Sequence, residues 1–258
     1  MTVYFIGAGP GAADLITVRG ARVLAGCRIC LYAGSLVPAE LLGLLPDGAV
    51  AIDTARMPLD EIITHLAAAD AAGHHVARLH SGDLAVYSAL SEQQRRLTEL
   101  GIDYELVPGV PAFAAAAASL GSELTVPGVG QSLLITRVST LSTDMPPGED
   151  LDTLARSGVT LALHLAAHRA RQIVTALVPH YGADCPTATV AFASRAEEQI
   201  VRAPLGGLAE ALGEARITKT AVIFVGRVLD LSSSNVTDSY LYSHARMTKL
   251  REDSRRHD

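Results

Sequence analysis

The chain has 258 residues, of which 49% are apolar and 19% are charged, and its formal net charge is −6. This length fits one large or two modest domains, and so high an apolar fraction excludes a disordered chain. The negative charge argues against a protein that coats nucleic acid, and no apolar run reaches the roughly 18 residues of a membrane span. Three cysteines and the lack of a secretory signal indicate a cytoplasmic protein, so we expect neither nucleic-acid nor membrane partners.

Strands and helices are predicted to alternate in the first half of the chain. Short apolar strands are expected at residues 3–6, 27–32, 75–79 and 104–107, and helices at 14–24, 58–72, 91–100 and from 112 onward. Gly73 and Gly101 follow two of these helices, which is typical of a helix end. Strands that alternate with helices at this spacing indicate βαβ units and a mainly parallel sheet.

A second α/β region begins near residue 123. Its strands are expected at 132–137, 160–165, 187–192 and 221–225, with a helix within 169–179 and a polar loop at 139–150. We therefore predict an N-terminal α/β domain at 1–122, a C-terminal α/β domain at 123–232 and a polar, flexible tail at 233–258. The expected fold is α/β, with two mainly parallel sheets and a cofactor cleft between the two domains.

The first strand runs into a glycine-rich turn, Gly7-Ala8-Gly9-Pro10-Gly11. In open α/β sheets such turns line the ligand crevice, and this one loosely fits a dinucleotide-binding pattern. Two features oppose that interpretation. The second strand ends in Tyr32-Ala33-Gly34-Ser35 without the acid that holds a ribose, and Pro10 has no N–H for a phosphate. The turn therefore favours a ligand without phosphates, with a purely structural turn as the alternative.

Two more turns follow predicted strands. Ser81-Gly82-Asp83 combines a glycine that permits close backbone approach with a carboxylate that accepts hydrogen bonds from hydroxyl groups or an amine. Asp83 serves equally well as the cap of the next helix. Residues 108–112 form the third turn, whose small side chains suit either a flat ligand against the backbone or tight helix packing.

Other catalytic chemistries find little support in the sequence. Cys27 and Cys30 are expected to point to opposite faces of a strand, which makes them structural rather than redox-active or metal-binding. His164 and His168 straddle a strand end and a loop, and the nine histidines form no ligand motif, so we predict no metal. The motifs of a serine nucleophile elbow and of a phosphate-binding loop are also lacking.

Four blocks of the sequence, taken in order, resemble the tetrapyrrole (corrin/porphyrin) methylase family. They lie at residues 7–11, 32–37, 78–87 and 107–112, and the similarity covers about residues 1–230. Within that family, the 32–37 block and residues 123–137 are similar to the branch that methylates C11 of precorrin-4. The uroporphyrinogen-III branch instead tends to carry Gly-Gly-Asp and Pro-Leu-Thr-His-Arg, where this chain has Ser81 and Val126-Pro127.

The resemblance implies a class III methyltransferase-like fold and S-adenosylmethionine as cofactor, which carries no phosphate, with S-adenosylhomocysteine as product. Carried over position by position, the family's cofactor contacts fall on Gly9, Pro10, Ser81, Gly82, Asp83, Val86, Pro111, Ala112, Leu165, Ala191, Phe192, Thr220 and Ala221. Pro111 stands where relatives often have threonine, which removes a hydroxyl contact, and Leu165 replaces a common methionine. The resemblance also implies a homodimer.

The implied reaction is methyl transfer to C11 of precorrin-4, which gives precorrin-5 in cobalamin biosynthesis. Such a reaction demands alignment and desolvation more than a strong base, and positioning supplies up to roughly 7–11 kcal/mol. Asp83 and Tyr87 are the polar candidates for catalysis. The small-molecule tetrapyrrole carries many carboxylates, for which bidentate arginine is an efficient partner. The arginine candidates for substrate binding are therefore Arg56, Arg78, Arg137 and Arg195, and Ser35 is a further candidate.

Several alternatives stay open. Each of these arginines can equally be an ordinary solvated side chain. A relative acting on another precorrin carbon, a cobalt-containing macrocycle, a diphthine precursor or ribosomal RNA fits the same blocks, although the last two require a basic patch. A nicotinamide-dependent oxidoreductase needs the acid missing after the second strand. A ligand-binding protein without catalytic activity is the remaining alternative.

Overall fold

In the computed structural model, residues 1–34, 36–139, 144–230, 240 and 243–254 are described, the side chains of 250–254 excepted. Two compact units divide the chain, and each contains one five-stranded sheet flanked by helices, which confirms the predicted α/β class. The first unit comprises Met1–Ala116 and Phe192–Glu198, and the second comprises Ala117–Ala191 and Gln199–Asp258. Among the described residues, no helix is long and apolar enough to span a bilayer.

The first unit is a parallel sheet with helices on both faces. Its strands are β1 (Val3–Gly7), β2 (Ile29–Tyr32), β3 (Val50–Asp53), β4 (Val76–His80) and β5 (Tyr104–Val107). Its helices are α1 (Val18–Leu24), α2 (Leu59–Ala71) and α3 (Leu90–Glu99), and α4 (Ala112–Leu120) follows β5 along the chain. The strand order is β3-β2-β4-β1-β5, and these neighbours all pair in parallel.

The apolar side chains of this sheet divide between its two faces. Phe5 packs with Leu66 of α2 and Leu97 of α3 in one cluster. Ile6, the next residue of β1, points to the other face and packs with Leu24 of α1. β4 is buried along its whole length because it lies in the middle of the sheet. Burial on both faces explains why these strands appear in the sequence as short, nearly continuous apolar runs.

Two predicted helix ends are confirmed by glycines with left-handed backbone. Ala72 caps α2, and Gly73 after it has φ +72°. Leu100 caps α3, and Gly101 has φ +70°. Glycine adopts this conformation without a Cβ penalty, so it ends a helix at little energetic cost.

The second unit contains five strands that run in both directions. The strands are β6 (Leu133–Arg137), β7 (Thr160–His164), β8 (Pro186–Ala191), β9 (Gln199–Pro204) and β10 (Ala221–Val225). The helices are α5 (Leu151–Ala155), α6 (Ala170–Tyr181), α7 (Leu208–Glu214) and α8 (His244–Ser254). The strand order is β6-β7-β10-β8-β9.

The expectation of a mainly parallel sheet holds for the first unit and is wrong for the second. β6 and β7 are parallel, whereas β10 runs antiparallel to both β7 and β8, and β9 runs antiparallel to β8. The short segment 192–198 joins β8 to β9, and parallel neighbours need a crossover of a dozen or more residues. A short connection therefore forces the antiparallel arrangement at this edge.

Two edge strands, β3 and β9, escape prediction from the sequence. Most of their residues are exposed, so neither carries the apolar pattern of a buried strand. The short helices α5 and α7 were not predicted either, and α8 lies within the segment expected as a polar tail. Of the predicted loop at 139–150, residues 140–143 lie outside the described part of the chain.

The three cysteines are free and buried. Cys27 and Cys30 lie in one apolar cluster, so the expectation of opposite faces is wrong, because Cys27 precedes β2 and is not subject to strand alternation. Burial raises the pKa of the Cys27 thiol to about 11 and that of Cys30 to about 12. A thiol that stays protonated at neutral pH is a poor nucleophile, which supports a structural role for both.

Candidate active site

Three loops meet at the carboxyl edge of the first sheet. They follow β1, β4 and β5, which are neighbours in the sheet, and they contain the three predicted turns. A Cβ on Gly7 would lie 2.6 Å from Gly109 Cα and 2.8 Å from Gly82 O. Gly9 and Gly82 also exchange backbone hydrogen bonds of 3.1 and 2.7 Å. Glycine is required here because three backbones pass within the space of one side chain.

Three backbone N–H groups in the glycine turn or next to it are already used within the first unit. The N–H groups of Ala8, Gly9 and Ala12 donate to His80 O, Gly82 O and Ser194 Oγ at 2.7, 3.1 and 3.0 Å. Pro10 has no N–H to donate. A phosphate binds such a turn through free backbone N–H groups. The turn is therefore unsuited to a pyrophosphate and fits a ligand held by other contacts.

The order of the strands also separates the glycine turn from the end of β2. In a dinucleotide-binding sheet β2 lies beside β1, so the acid at its end reaches a ribose bound at the turn. Here β4 lies between β1 and β2. The end of β2 is thereby about 10 Å from β1, at roughly 4.8 Å per strand. The fold opposes the nicotinamide alternative independently of the missing acid.

Asp83 braces two of the three loops. Its Oδ1 accepts a hydrogen bond from Ala85 N at 2.7 Å, and its Oδ2 accepts one from Gly109 N at 3.1 Å. The carboxylate thus ties the loop after β5 to the loop after β4. The helix cap considered for Asp83 does not form, because α3 begins at Leu90 with Ala89 in the capping position. Each carboxylate oxygen keeps a further lone pair, so contact with a ligand stays a prediction.

The loop between β4 and α3 has a strained backbone. Tyr87 and Ala89 have φ +54° and +51°. For residues other than glycine this conformation costs on the order of 1–3 kcal/mol, and it is concentrated at ligand-binding loops and active sites. Tyr87 is 44% exposed, so its ring is accessible. The strain agrees with a ligand-binding loop here, while the individual roles of Tyr87 and Val86 stay predictions.

Left-handed residues also mark one edge of the second sheet. Leu165 directly follows β7 with φ +53°, and Thr220 directly precedes β10 with φ +51°. Because β10 is antiparallel to β7, the end of one strand and the start of the other lie at the same edge. Ala221 pairs there with Ala191 of β8, and Phe192, the next residue, has φ +53°. Five positions singled out from the second half thus coincide with strained strand ends or their partners.

Arg78 differs from the predicted substrate contact. It is 7% exposed, and it donates from Nε to Gln93 Oε1 at 3.0 Å and from Nη1 to Thr54 Oγ1 at 2.8 Å. Burial lowers its pKa to about 10. A buried guanidinium that holds two core side chains is not available to carboxylates in solvent, so we correct its assignment from substrate binding to support of the first unit.

The other substrate candidates occupy different surroundings. Arg56 is exposed, and Arg137 donates to the carbonyl oxygens of Val138 and Asp144 at 3.4 Å each. Arg195 donates from Nη2 to Leu36 O at 2.9 Å. Ser35 lies outside the described residues. Among the described residues no group of three His, Cys, Asp or Glu could hold a metal ion, and the predicted absence of a metal stays a prediction.

Two histidines, the buried His80 and the half-buried His164, make stability depend on pH. Burial, with the nearby Arg78 charge, lowers the pKa of His80 to about 4, and burial lowers that of His164 to about 4. In the unfolded chain both titrate near 6.5, so between about pH 6.5 and 4 the unfolded state binds protons that the folded state does not. Stability should therefore fall as the pH drops through this window, by roughly 2–3 kcal/mol per histidine.

Denaturant unfolding from pH 7.5 to 4 measures this effect. His80→Asn keeps a donor near Ser88 O, which His80 Nδ1 faces at 3.0 Å, but removes the titrating group. The variant should show a shallower loss of stability between pH 6.5 and 4. An identical pH slope in the variant would contradict the role given to His80.

Residues that the sequence did not single out complete the site. Ser194 has φ +67° and holds Ala12 N, and its own N–H donates to Glu198 Oε2 at 2.6 Å. Asp53 holds Gly34 N at 2.9 Å. Neither has a local motif, because each partner lies far away along the chain. The available signal was limited to two small residues: Gly34 leaves room for Asp53, and Gly11 leaves room for Ala193 and Arg195, the neighbours of Ser194 in the chain.

The fold and the glycine-lined edge define a methylase of the tetrapyrrole family. A model of the Tetrapyrrole (Corrin/Porphyrin) Methylases matches residues 2–209, and the chain belongs to that family. Precorrin-4 C(11)-methyltransferase of Rhodococcus erythropolis is 62% identical over 246 residues, which cover 95% of this chain and 98% of the relative.

Solved structures agree with this assignment. A cobalt precorrin-4 methyltransferase superimposes with a TM-score of 0.86 at 36% identity, covering 89% of this chain and 96% of that one. Uroporphyrin-III C-methyl transferase from Thermus thermophilus, complexed with S-adenyl homocysteine, superimposes with a TM-score of 0.74 at 29% identity. The match covers 90% of this chain and 94% of that one. The resemblance stated from four sequence blocks is confirmed over nearly the whole chain.

Proposed function

We propose that this protein is an S-adenosylmethionine-dependent methyltransferase that methylates C11 of precorrin-4 and so forms precorrin-5 in cobalamin biosynthesis. The observation that carries the cofactor class is the glycine turn, where Pro10 has no N–H and the N–H groups of Ala8 and Gly9 are engaged by the protein itself. A cofactor without phosphates fits this turn, and a dinucleotide does not. The substrate follows from the 62% identical relative, which is a precorrin-4 C(11)-methyltransferase.

The residues that we propose for the cofactor share two properties. They lie at the ends of central strands, and they offer backbone or apolar surface rather than charge. They are Gly9, Pro10, Ser81, Gly82, Asp83, Val86, Pro111, Ala112, Leu165, Ala191, Phe192, Thr220 and Ala221. Tight glycine packing in the first unit and left-handed strand ends in the second support this choice.

The protein's own contribution to the reaction is alignment. When bound, S-adenosylmethionine supplies a methyl group activated by the sulfonium charge. The glycine-lined loops hold their backbones rigidly, since Gly7, Gly82 and Gly109 leave one another no room to shift. Asp83 fixes two of these loops through backbone N–H groups, which explains a need for this residue without proton transfer. Rigid alignment of this kind is worth several kcal/mol in a displacement reaction.

Our proposed contacts for the carboxylates of the macrocycle are Arg56, Arg137, Arg195 and Ser35. We propose the metal-free macrocycle as substrate, because the 62% identical relative is a precorrin-4 enzyme, whereas the cobalt enzyme is 36% identical. We further propose that the protein acts in the cytoplasm and that it is a homodimer.

Leu165→Gly should separate stability from cofactor binding. Leu165 has φ +53° and is 60% exposed, so glycine relieves strain and loses little burial. Relief of a left-handed residue is worth about 1–2 kcal/mol, so the melting temperature should rise by a few degrees. Affinity for S-adenosylmethionine should fall several-fold, because the apolar contact is lost. Differential scanning calorimetry and titration calorimetry measure the two effects.

A matched control is Leu44→Gly, which shortens another exposed leucine whose φ is not positive. It should lower stability slightly and not raise it. Equal melting temperatures for Leu165→Gly and the wild type would contradict the strain at residue 165.

Calorimetric titration tests the proposed cofactor directly. The wild-type protein should bind S-adenosylmethionine and S-adenosylhomocysteine and should not bind NAD or NADH at the same concentrations. Binding of NADH without binding of S-adenosylmethionine would establish the oxidoreductase alternative. A lack of binding by all four compounds would establish a role outside both enzyme classes.

A further inference from the structure

The turn after β2 is anchored by residues from outside its own strand. The described residues of this turn are Ala33, Gly34, Leu36 and Val37, and Leu36 N and Val37 N both donate to Ala33 O, at 2.9 and 3.1 Å. Val37 is buried in the apolar core and fixes the base of the turn. The turn lies at the same carboxyl edge as the loop after β4, because β2 and β4 are parallel neighbours.

Asp53, the last residue of β3, holds one side of the turn. Its Oδ1 accepts hydrogen bonds from Gly34 N and Ala55 N, both at 2.9 Å. A Cβ on Gly34 would lie 2.9 Å from Asp53 Cγ and closer still to Oδ2. Gly34 does not have a positive φ, so its backbone conformation does not demand glycine. Glycine is required at residue 34 because the Asp53 carboxylate packs directly against its Cα and leaves no room for a side chain.

The residues beside Asp53 strengthen this hold. Thr54 donates to Tyr32 O from its backbone N at 2.7 Å and from Oγ1 at 3.1 Å. Arg78 in turn donates to Thr54 Oγ1. Hydrogen bonds to the ionised form, with the nearby Arg56 charge, keep the pKa of Asp53 below its usual value. Asp53 is therefore an anion whose Oδ1 accepts from two backbone N–H groups, which suits an anchor.

Arg195 holds the opposite side of the same turn. Its guanidinium donates to Leu36 O at 2.9 Å, while its aliphatic stem occupies the space beside Gly11. Residues 34 and 36 are thus fixed from two directions, by a carboxylate and by a guanidinium. In the sequence these two residues flank Ser35, the proposed substrate contact, which itself lies outside the described residues.

We propose that Asp53 is a positioning residue for the tetrapyrrole, acting through Gly34 on the turn after β2, with Arg195 as the second anchor through Leu36. The inference rests on the proposed function, since it assigns that turn to the macrocycle and not to the cofactor. Loss of the anchor should therefore change substrate use while leaving cofactor binding intact.

Steady-state kinetics of Asp53→Ala, Asp53→Asn and the wild type test this proposal. Asp53→Ala should raise KM for precorrin-4 by ten- to hundredfold, on the order of the penalty for a small misplacement. Its Kd for S-adenosylmethionine should stay within about twofold of the wild type. Asp53→Asn retains an oxygen that can accept from Gly34 N and Ala55 N, so its KM should stay close to the wild-type value. Glu105→Gln, an exposed acid on β5, is the matched control and should match the wild type.

The outcomes separate this inference from the proposed function. A wild-type protein inactive on precorrin-4 would reject the proposed function, whatever the variants do. If the wild type is active, any of three results would contradict the positioning role of Asp53. These are an unchanged KM in Asp53→Ala, an Asp53→Asn variant as impaired as Asp53→Ala, or a loss of S-adenosylmethionine affinity in Asp53→Ala that parallels the rise in KM. The second result would indicate a role for the charge itself.

Discussion

A Gly109→Ala variant should lose both stability and cofactor binding. A Cβ at residue 109 would lie 2.7 Å from Gly7 Cα and closer still to Gly82 O, and both are backbone atoms that cannot rotate away. Overpacking of this kind costs about 1–3 kcal/mol, which corresponds to a fall in melting temperature of roughly 3–10 °C for a protein of this size. The loops after β1, β4 and β5 must move apart, so affinity for S-adenosylmethionine should drop at least about tenfold, or 1.4 kcal/mol.

Thermal unfolding and titration calorimetry on the same preparations measure both effects. Gly43→Ala is the matched control, because residue 43 lies in the same unit with no atom within 4 Å of an added Cβ. This control should change stability by less than about 0.5 kcal/mol. If Gly109→Ala binds and melts like Gly43→Ala, the close packing of the three loops is not essential to the site.

Asp83→Asn should impair cofactor binding much more than the chemical step. The amide keeps one oxygen acceptor but turns an NH₂ group toward either Ala85 N or Gly109 N, which are now both held by the carboxylate. Leaving a backbone N–H without its acceptor costs about 1–3 kcal/mol. The Kd for S-adenosylmethionine should rise about five- to hundredfold, since 1.4 kcal/mol is a factor of ten. The kcat at saturating cofactor should change little.

The kinetic pattern distinguishes the two roles considered for Asp83. A general base contributes about 10²–10⁴-fold to the rate, and its loss lowers kcat. If kcat of Asp83→Asn falls by that amount while Kd is unchanged, Asp83 acts as a proton acceptor and its proposed role in holding the two loops is wrong. Asp83→Ala, which frees both N–H groups, should show the larger loss of affinity.

The parts of the fold that could be predicted from the sequence are those with a local physical cause. Buried strands such as β4 need apolar side chains on both faces, and helix ends such as Gly73 need a residue that tolerates positive φ. The interpretation of Pro10 as an obstacle to phosphate binding rests equally on the chemistry of one residue. The structure extends it, because the N–H groups of Ala8, Gly9 and Ala12 are engaged as well.

The features that could not be predicted depend on contacts between distant residues. Ser194 reaches Ala12 across 182 positions, and nothing near either residue indicates the pairing. The order of strands places β4 between β1 and β2, and only the folded sheet shows it. Arg78 looks like a surface cation in the sequence, but its neighbours in space are Gln93 and Thr54. The antiparallel insertion of β10 follows from packing and not from local pattern.

The central claim, methylation of C11 on precorrin-4, has one direct measurement. The wild-type protein is incubated with precorrin-4 and S-adenosylmethionine carrying a ¹³C-labelled methyl group, and the product is examined by NMR. We predict a single new labelled methyl group on C11, accompanied by an equal amount of S-adenosylhomocysteine. A label on any other carbon, or none with an intact cofactor and a competent substrate, would contradict the claim.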